Sequence, residues 1–238
     1  NEYLYFSGSL ILINLIAAIG LQLLIGFTGL LSLGHAAFMG VGAYTSALLV
    51  TKWGCPFILS ILAAGLVASL LGIIVGFPSL RIKGFYLMVA TLAFQFVIDY
   101  IIIHWDSVTR GIRGIELPTP HVFGISLEKN QTYFVLLFIL TIFLMWGAKN
   151  ITRSKIGRAF IAIRDNDVSA EIIGIPIFPY KLLSFSISAF YAGVAGALFA
   201  GLLRTAIPED YTFLHSIIFL AMVLVGGLGR LVGTVFGV

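Results

Sequence analysis

Long apolar runs, separated by short polar segments, dominate the chain. The first run, from Tyr3 to Thr51, contains no Asp, Glu, Lys or Arg over 49 positions. This run is too long for one membrane helix, because about 20 apolar residues are enough to cross a bilayer. Glycines interrupt it near its middle, so we predict one span near residues 8 to 26 and a second near residues 35 to 51.

The segment that joins these two spans is rich in glycine. A glycine inside a helix costs about 1 kcal/mol relative to alanine, and irregular backbone at membrane depth persists only against protein or a watery cavity. We therefore predict a broken or half helix. Its N-terminus is expected near Ser32 to His35, with backbone N–H groups and a positive dipole end directed into the protein interior.

Five further apolar runs follow, and the C-terminal segment begins another. The predicted spans are residues 57 to 77, 85 to 103, 132 to 148, 181 to 203 and 213 to 228. We therefore predict an all-α, polytopic membrane protein of about seven to eight transmembrane helices. Residues 1–238 form a single transmembrane domain in this prediction, and the apolar C-terminal run makes us expect a fragment that lacks helices at one or both ends.

Several glycines are expected to have structural roles. Those near the C-terminus recur every four residues, which predicts that they share one helix face and allow close helix packing in lipid. The structural glycines predicted from the sequence are Gly29, Gly40, Gly42, Gly229, Gly233 and Gly237.

One polar segment, from Lys149 to Gly174, carries eight of the 24 charged residues, five basic and three acidic. Lys and Arg near the ends of spans resist translocation, whereas Asp and Glu matter little. We therefore place a loop of about residues 149–180 in the cytoplasm. Counting spans from this loop places the connection of about residues 105–131 outside, and the turn that contains Arg81 and Lys83 in the cytoplasm.

Apolar residues recur at three- and four-residue steps within the polar segment. They are Ile156, Ala159, Phe160 and Ile163. This spacing predicts a short helix with one apolar face, on which a cytoplasmic protein is expected to dock.

Composition agrees with a membrane protein. Hydrophobic residues make up 60% of the chain and charged residues 10%, with a mean hydropathy of +1.08, whereas soluble domains carry about 25% charged residues. The net charge of +4 lies in loops, so it reports topology rather than nucleic-acid binding. The single cysteine, Cys55, excludes an internal disulfide and a cysteine-based metal site.

Five segments, in order, carry a resemblance to a known family. They are GLLSLGHAAFMGVGAY (Gly29 to Tyr44), KGFYLMVATLAF (Lys83 to Phe94), SKIGRAFIAIRDNDVSAEIIGI (Ser154 to Ile175), AGVAGAL (Ala192 to Leu198) and VGGLGRLVGTVFG (Val225 to Gly237). The chain resembles the permeases of branched-chain amino acid ABC importers, specifically the LivM-type subunit.

This resemblance implies a multi-pass permease of the bacterial inner membrane that forms a translocation path with a sister LivH-type permease. It also implies two cytoplasmic ABC ATPase subunits and a periplasmic binding protein that delivers leucine, isoleucine, valine or a related solute. The chain contains no G-x-x-x-x-G-K-[ST] phosphate loop. ATP and magnesium are therefore expected on the ATPase subunits, with no cofactor, metal or catalytic residue in this chain.

The resemblance also implies that the short helix of the polar segment couples the permease to the ATPases. Gly157 is expected to permit a tight turn into this helix. The residues expected to take part in coupling are Lys155, Ile156, Gly157, Arg158, Ala159, Phe160, Arg164, Asp165, Ala170 and Gly174. The alternative is a solvated basic loop that only obeys the charge rule for topology.

At the broken helix, the functional interpretation is that small and polar residues line or gate the path. Backbone dipoles there would offer a site for the carboxylate of a zwitterion. The residues predicted for the path are Ser32, Gly34, His35, Thr91 and Gln95. The alternative is tight packing without solute contact, with His35 as a hydrogen-bonded interior histidine.

Two other functions remain open at this point. The same machinery would import urea or another small polar solute, since close relatives with similar permeases carry such solutes. A secondary carrier would need a coupling-ion site built from intramembrane acids or unwound carbonyls. Only Asp99 lies within a predicted span, and its distance from Gly84, about 22 Å at 1.5 Å per residue, places it near the external interface.

Overall fold

The computed structural model describes residues 2–80, 84–122, 125–126 and 129–238. The α-helices are α1 (Glu2–Gln22), α2 (His35–Trp53), α3 (Phe57–Ser79), α4 (Phe85–His104), α5 (Asp106–Thr109), α6 (Asn130–Arg153), α7 (Lys155–Asp165), α8 (Asp167–Ile172), α9 (Ile177–Leu203), α10 (Phe213–Gly226) and α11 (Leu231–Gly237). The strands are β1 (Ile115–Glu116), β2 (His121–Val122), β3 (Ile125–Ser126) and β4 (Thr205–Ala206).

The prediction of an all-α polytopic protein is confirmed. By length and composition, six helices within the described residues are suited to cross a membrane: Glu2–Phe27, Phe57–Ser79, Phe85–His104, Asn130–Arg153, Ile177–Leu203 and Pro208–Gly226. The helix α2 is a seventh long helix, and most of its side chains are buried against the others. The α11 helix is the predicted start of an eighth.

The helix α9 forms the centre of the bundle, packed against α1, α2 and α3. Its small residues allow neighbouring backbones to approach closely, as is common where helices pack in lipid. Gly193 lies against Ala64 and Ala68 of α3, and Gly196 lies against the backbone of Met39 in α2. Close packing of the core therefore depends on glycines, which have no side chain, as much as on large apolar residues.

The first apolar run breaks as predicted. The helix α1 continues as a π-helix, Leu23–Phe27, and the backbone is irregular from there until α2 begins at His35. The ring Nε2 of His35 lies 2.9 Å from the carbonyl oxygen of Ala17. Because Ala17 precedes Phe27 by ten residues, or about 15 Å of helix, α2 begins beside α1 and well before the end of the π-helix.

The C-terminal helices form a hairpin. Gly233 and Gly237 of α11, both predicted to share one helix face, lie against the backbones of Gly226 and Met222 of α10. The prediction that Gly229 shares this helix face is wrong, because α11 begins only at Leu231. Gly229 lies in the turn between the helices with a φ of +78°, a left-handed conformation that glycine adopts without steric cost.

Helix ends differ modestly from the predicted boundaries. The helix α6 continues through Arg153 and α9 begins at Ile177, so the polar loop between them is shorter than residues 149–180. At the opposite end of the bundle, β1 pairs antiparallel with β4, and β2 pairs with β3. The predicted cytoplasmic cations Arg81 and Lys83 lie outside the described residues.

Candidate functional site

The polar segment folds into two short helices, α7 and α8. Ser154 caps the first, because its hydroxyl oxygen accepts hydrogen bonds from the backbone N–H groups of Ile156 at 3.1 Å and Gly157 at 3.5 Å. A side chain at Gly157 would overlap the backbone carbonyl of Thr152. The sequence predicted a tight entry turn at Gly157. The backbones of Gly157 and Thr152 approach each other so closely that the turn has no room for a side chain.

The apolar face of α7 packs against the rest of this chain. Phe160 and Ile163 are 0% and 2% exposed, and Phe160 makes an edge-to-face ring contact with Tyr180 of α9. The predicted amphipathic helix is therefore present, but its apolar face anchors it to the bundle instead of facing a partner. Of the residues predicted for coupling, those buried within this chain are Gly157, Ala159, Phe160 and Ala170.

The remaining predicted coupling residues reach the surface. Ile156 is half-buried, and the exposed members are Lys155, Arg158, Arg164, Asp165 and Gly174. The same segment exposes three apolar residues that were not predicted as site residues: Val168, Ile172 and Ile173 are 62%, 80% and 72% exposed. The signal for two of them was an apolar pair four residues apart within a charged segment.

Hydrogen bonds and an ion pair hold α8 in place. The side-chain oxygen of Asn166 accepts a hydrogen bond of 3.1 Å from the N–H of Ser169, which caps the helix. Lys181 of α9 donates to the carboxylate of Asp167 at 2.7 Å, and the two side chains are 10% and 23% exposed. These contacts therefore hold the exposed apolar residues of α8 in a fixed position relative to α9.

A cavity of about 280 Å³ lies between α7, α8 and the irregular backbone that follows the π-helix. Its apolar walls include Leu30, Leu87 and Ile163, and its charged rim includes Arg164 and Asp167. The cavity lies next to the backbone that leads to the start of α2.

At the start of α2, side chains from other helices accept hydrogen bonds from backbone N–H groups that have no partner within the helix. Leu33 donates to the hydroxyl of Thr91 at 3.0 Å and Ala37 donates to the amide oxygen of Gln95 at 2.7 Å. Ala36 donates to the hydroxyl of Ser216 at 2.9 Å. These N–H groups are thus occupied by protein acceptors in this conformation.

The structure brings the five predicted path residues together. Ser32, His35, Thr91 and Gln95 are all 2% exposed or less, and the backbone of Thr91 lies against Gly34. His35 is buried and forms a hydrogen bond with the carbonyl oxygen of Ala17.

Gln95 connects this cluster to the opposite end of the bundle. Its amide nitrogen donates to the carboxylate of Asp99 and to the carbonyl oxygen of Tyr211, each at 2.9 Å.

Ser216 was missed by sequence reasoning, because no motif distinguishes one serine in α10 from a packing residue. Among the described residues, no group of three or more His, Cys, Asp or Glu side chains is arranged to hold a metal ion.

Comparison with known proteins decides the family. A family model described as "Branched-chain amino acid transport system / permease component" matches residues 4–238. The chain belongs to this permease family. Membership and the six apolar helices identify a multi-pass protein of the inner membrane.

Individual relatives agree with this assignment. This permease is 33% identical over 93% of its chain to the high-affinity branched-chain amino acid transport system permease protein LivM of Escherichia coli, and covers 58% of that protein. It is 32% identical over 92% of its chain to LivM of Salmonella typhimurium, and covers 57% of it. It therefore spans somewhat more than half the length of these relatives.

A more distant relative matches the whole chain. The probable branched-chain amino acid transport permease protein LivH of Methanocaldococcus jannaschii is 26% identical over 100% of this permease, which covers 78% of that protein. No solved structure gives a significant match.

Proposed function

We propose that this chain is the LivM-type permease subunit of an ATP-driven importer for branched-chain amino acids. In this proposal it pairs with a LivH-type permease, two cytoplasmic ATPase subunits that bind ATP and magnesium, and a periplasmic solute-binding protein. Family membership and the similarity to the branched-chain amino acid permease LivM of Escherichia coli support this assignment. The chain itself has no catalytic role, and it contributes half of the path for the solute.

The single observation that carries the proposal is the arrangement of α7 and α8. The apolar face of α7 anchors the pair to the bundle, while Val168, Ile172 and Ile173 stay exposed beside charged residues. An exposed apolar patch with a polar rim is typical of a protein interface. We define this patch, with the exposed Arg158, as the docking surface, and we place it in the cytoplasm because the surrounding segment is basic.

We further propose that the polar cluster at the start of α2 borders the solute path. Ser32, Thr91 and Gln95 are buried in this conformation, so the path beside them is closed here. Opening it would separate α2 from α4 and release N–H groups that face the interior. These groups and the helix dipole suit the carboxylate of an amino acid. The cavity between the cluster and the docking surface provides the exit on the cytoplasmic side.

The experiment uses the complete importer, with both permeases, the ATPases and the binding protein, in membrane vesicles. We expect ATP-dependent uptake of radiolabelled leucine and little uptake of radiolabelled urea. Uptake of urea instead would contradict the assignment of branched-chain amino acids as the solute, but it would still agree with an ATP-driven importer. Uptake that follows an ion gradient without ATP would contradict the importer itself.

A second arm tests the docking surface. The double variant V168S/I172S is expected to reduce co-purification of the ATPases, because it removes exposed apolar area without disturbing the core. The matched control is Ile112→Ser, since Ile112 is also well exposed, at 69%, but lies at the opposite end. Unchanged co-purification of the ATPases with V168S/I172S would contradict the proposed surface.

A further inference from the structure

Arg164 connects α7 to two other parts of the protein at once. Its guanidinium Nη1 donates to the carbonyl oxygen of Gly26 at 2.8 Å, and the same nitrogen lies beside Gly229. The guanidinium also pairs with the neighbouring carboxylate of Asp165 at 3.0 Å. A planar guanidinium with several donors is suited to such simultaneous contacts.

The carbonyl of Gly26 lies near the C-terminal end of the π-helix that ends α1. The last carbonyls of a helix lack partners within the helix and need external donors, and π-helical turns are frequent at functional sites. Gly29, which follows with a φ of +74°, lets the aliphatic part of Arg164 approach, since an added Cβ there would lie 3.0 Å from Cγ of Arg164. The backbone of this region is shaped to receive Arg164.

The α10–α11 turn, residues 227–230, binds to the same place from the other side. The amide nitrogen of Gln22 donates to the carbonyl oxygen of Gly227 at 2.8 Å and of Arg230 at 3.3 Å. Gly26 also contacts the turn, because an added Cβ would lie 2.6 Å from the backbone nitrogen of Gly229. The π-helix is therefore held between Arg164 and the turn.

We infer that Arg164 is a positioning residue that transmits movement of α7 to the α10–α11 turn through the end of α1. The inference rests on the proposed function, in which the ATPases move the docking surface. Movement of α7 would pull on the carbonyl of Gly26, and the turn would follow because Gln22 and Gly26 bind it. Asp165 fixes the orientation of the guanidinium.

The prediction concerns solute transported per ATP hydrolysed by the complete importer. Arg164→Gln is expected to lower this ratio about tenfold, since a hydrogen bond from a charged donor is worth a tenfold change in a population or more. Arg164→Lys keeps a charged donor and is expected to recover part of the ratio. Arg153→Gln is the control, because it removes a basic residue that lines a cavity with Phe27 of the π-helix but, within the described part of the chain, donates no side-chain hydrogen bond to the π-helix as Arg164 does.

A distance measurement separates transmission from simple anchoring. In a Cys55→Ser background, spin labels at Ala162 of α7 and Val232 of α11 report the distance between the two helices. In the otherwise unmodified complex we expect this distance to stay constant when ATP is added, because the helices move together. In Arg164→Gln we expect ATP to change it, with an unchanged melting temperature.

Each outcome has one interpretation. If Arg164→Gln keeps the normal ratio and the constant distance, or if Arg153→Gln loses as much, the inference about Arg164 is wrong and the proposed function stands. If the importer without the Arg164 variant shows no ATP-dependent uptake, the proposed function is wrong, and the inference fails with it.

Discussion

Gly42 of α2 lies directly against the backbone of Gly193 of α9, so that a side chain on Gly42 would overlap α9. A glycine at such a contact lets the helix axes approach more closely than a larger residue allows. This contact fixes α2, which carries the polar cluster at its N-terminus, against the centre of the bundle.

The first prediction concerns this glycine contact. Gly42→Ala is expected to destabilise the permease by about 1–3 kcal/mol, because an added methyl group in a tightly packed core forces the backbones apart. The measurement is thermal unfolding of the purified protein in detergent. Gly147→Ala is the matched control, since the nearest atom to an added Cβ there is the hydroxyl of Tyr191 at 3.5 Å, an ordinary contact. Equal melting temperatures for the two variants would contradict the packing described here.

The second prediction concerns the anchor of α7. Phe160→Ala is expected to weaken the attachment of α7 by about 3–5 kcal/mol, since Phe160 is fully buried. Faster proteolysis within residues 154–176 would report this loss. Arg158→Ala changes an exposed residue of the same helix and should leave proteolysis unchanged. If both variants are cleaved at the same rate as the unmodified protein, the apolar face does not anchor α7.

The third prediction concerns the ion pair between Lys181 and Asp167. Both side chains are largely buried, and removing one partner of such a pair leaves a charge without its counterion. Lys181→Met and Asp167→Asn are each expected to destabilise α8, and the double variant is expected to lose less than the sum of the two. Urea unfolding of all four proteins gives the coupling free energy. Strictly additive losses would show that the pair contributes nothing.

The fourth prediction concerns Gln95. Gln95→Leu removes the acceptor for the N–H of Ala37 and the donor to Tyr211. We expect a loss of about 1–3 kcal/mol, the cost of leaving buried polar groups without partners, and a loss of uptake. Gln95→Glu keeps the acceptor and should retain more of the ATP-dependent uptake than Gln95→Leu. Full uptake activity of the Gln95→Leu importer would show that Gln95 is not part of the proposed path.

Much of this fold is predictable because long apolar runs and glycine clusters report membrane spans directly. The break before His35 and the short helix that contains Phe160 follow from composition and spacing. The direction of the apolar face of α7 does not, because an amphipathic pattern shows only that one face is buried, and not which surface buries it. Gly229 was wrongly placed on the helix face of Gly233 and Gly237, because a four-residue repeat is compatible with a helix as well as with a turn that precedes one.

The polar contacts between distant segments are the part that the sequence could not predict. Gln95 and Ser216 are 121 residues apart and meet only because α2, α4 and α10 pack together. Arg164 and Gly26 are likewise separated by 138 residues. Neither contact has a local sequence signal, since hydrogen bonds of this kind depend on how whole helices are placed.

The most direct test of the account asks on which side of the membrane α8 lies. In a Cys55→Ser background, Glu171→Cys and Arg113→Cys place single exposed thiols on α8 and at the opposite end of the bundle. A membrane-impermeant maleimide is expected to label Arg113→Cys in cells with a permeabilised outer membrane, and Glu171→Cys only in inverted vesicles. Labelling of Glu171→Cys from the periplasm would contradict the central claim that this surface meets the ATPases.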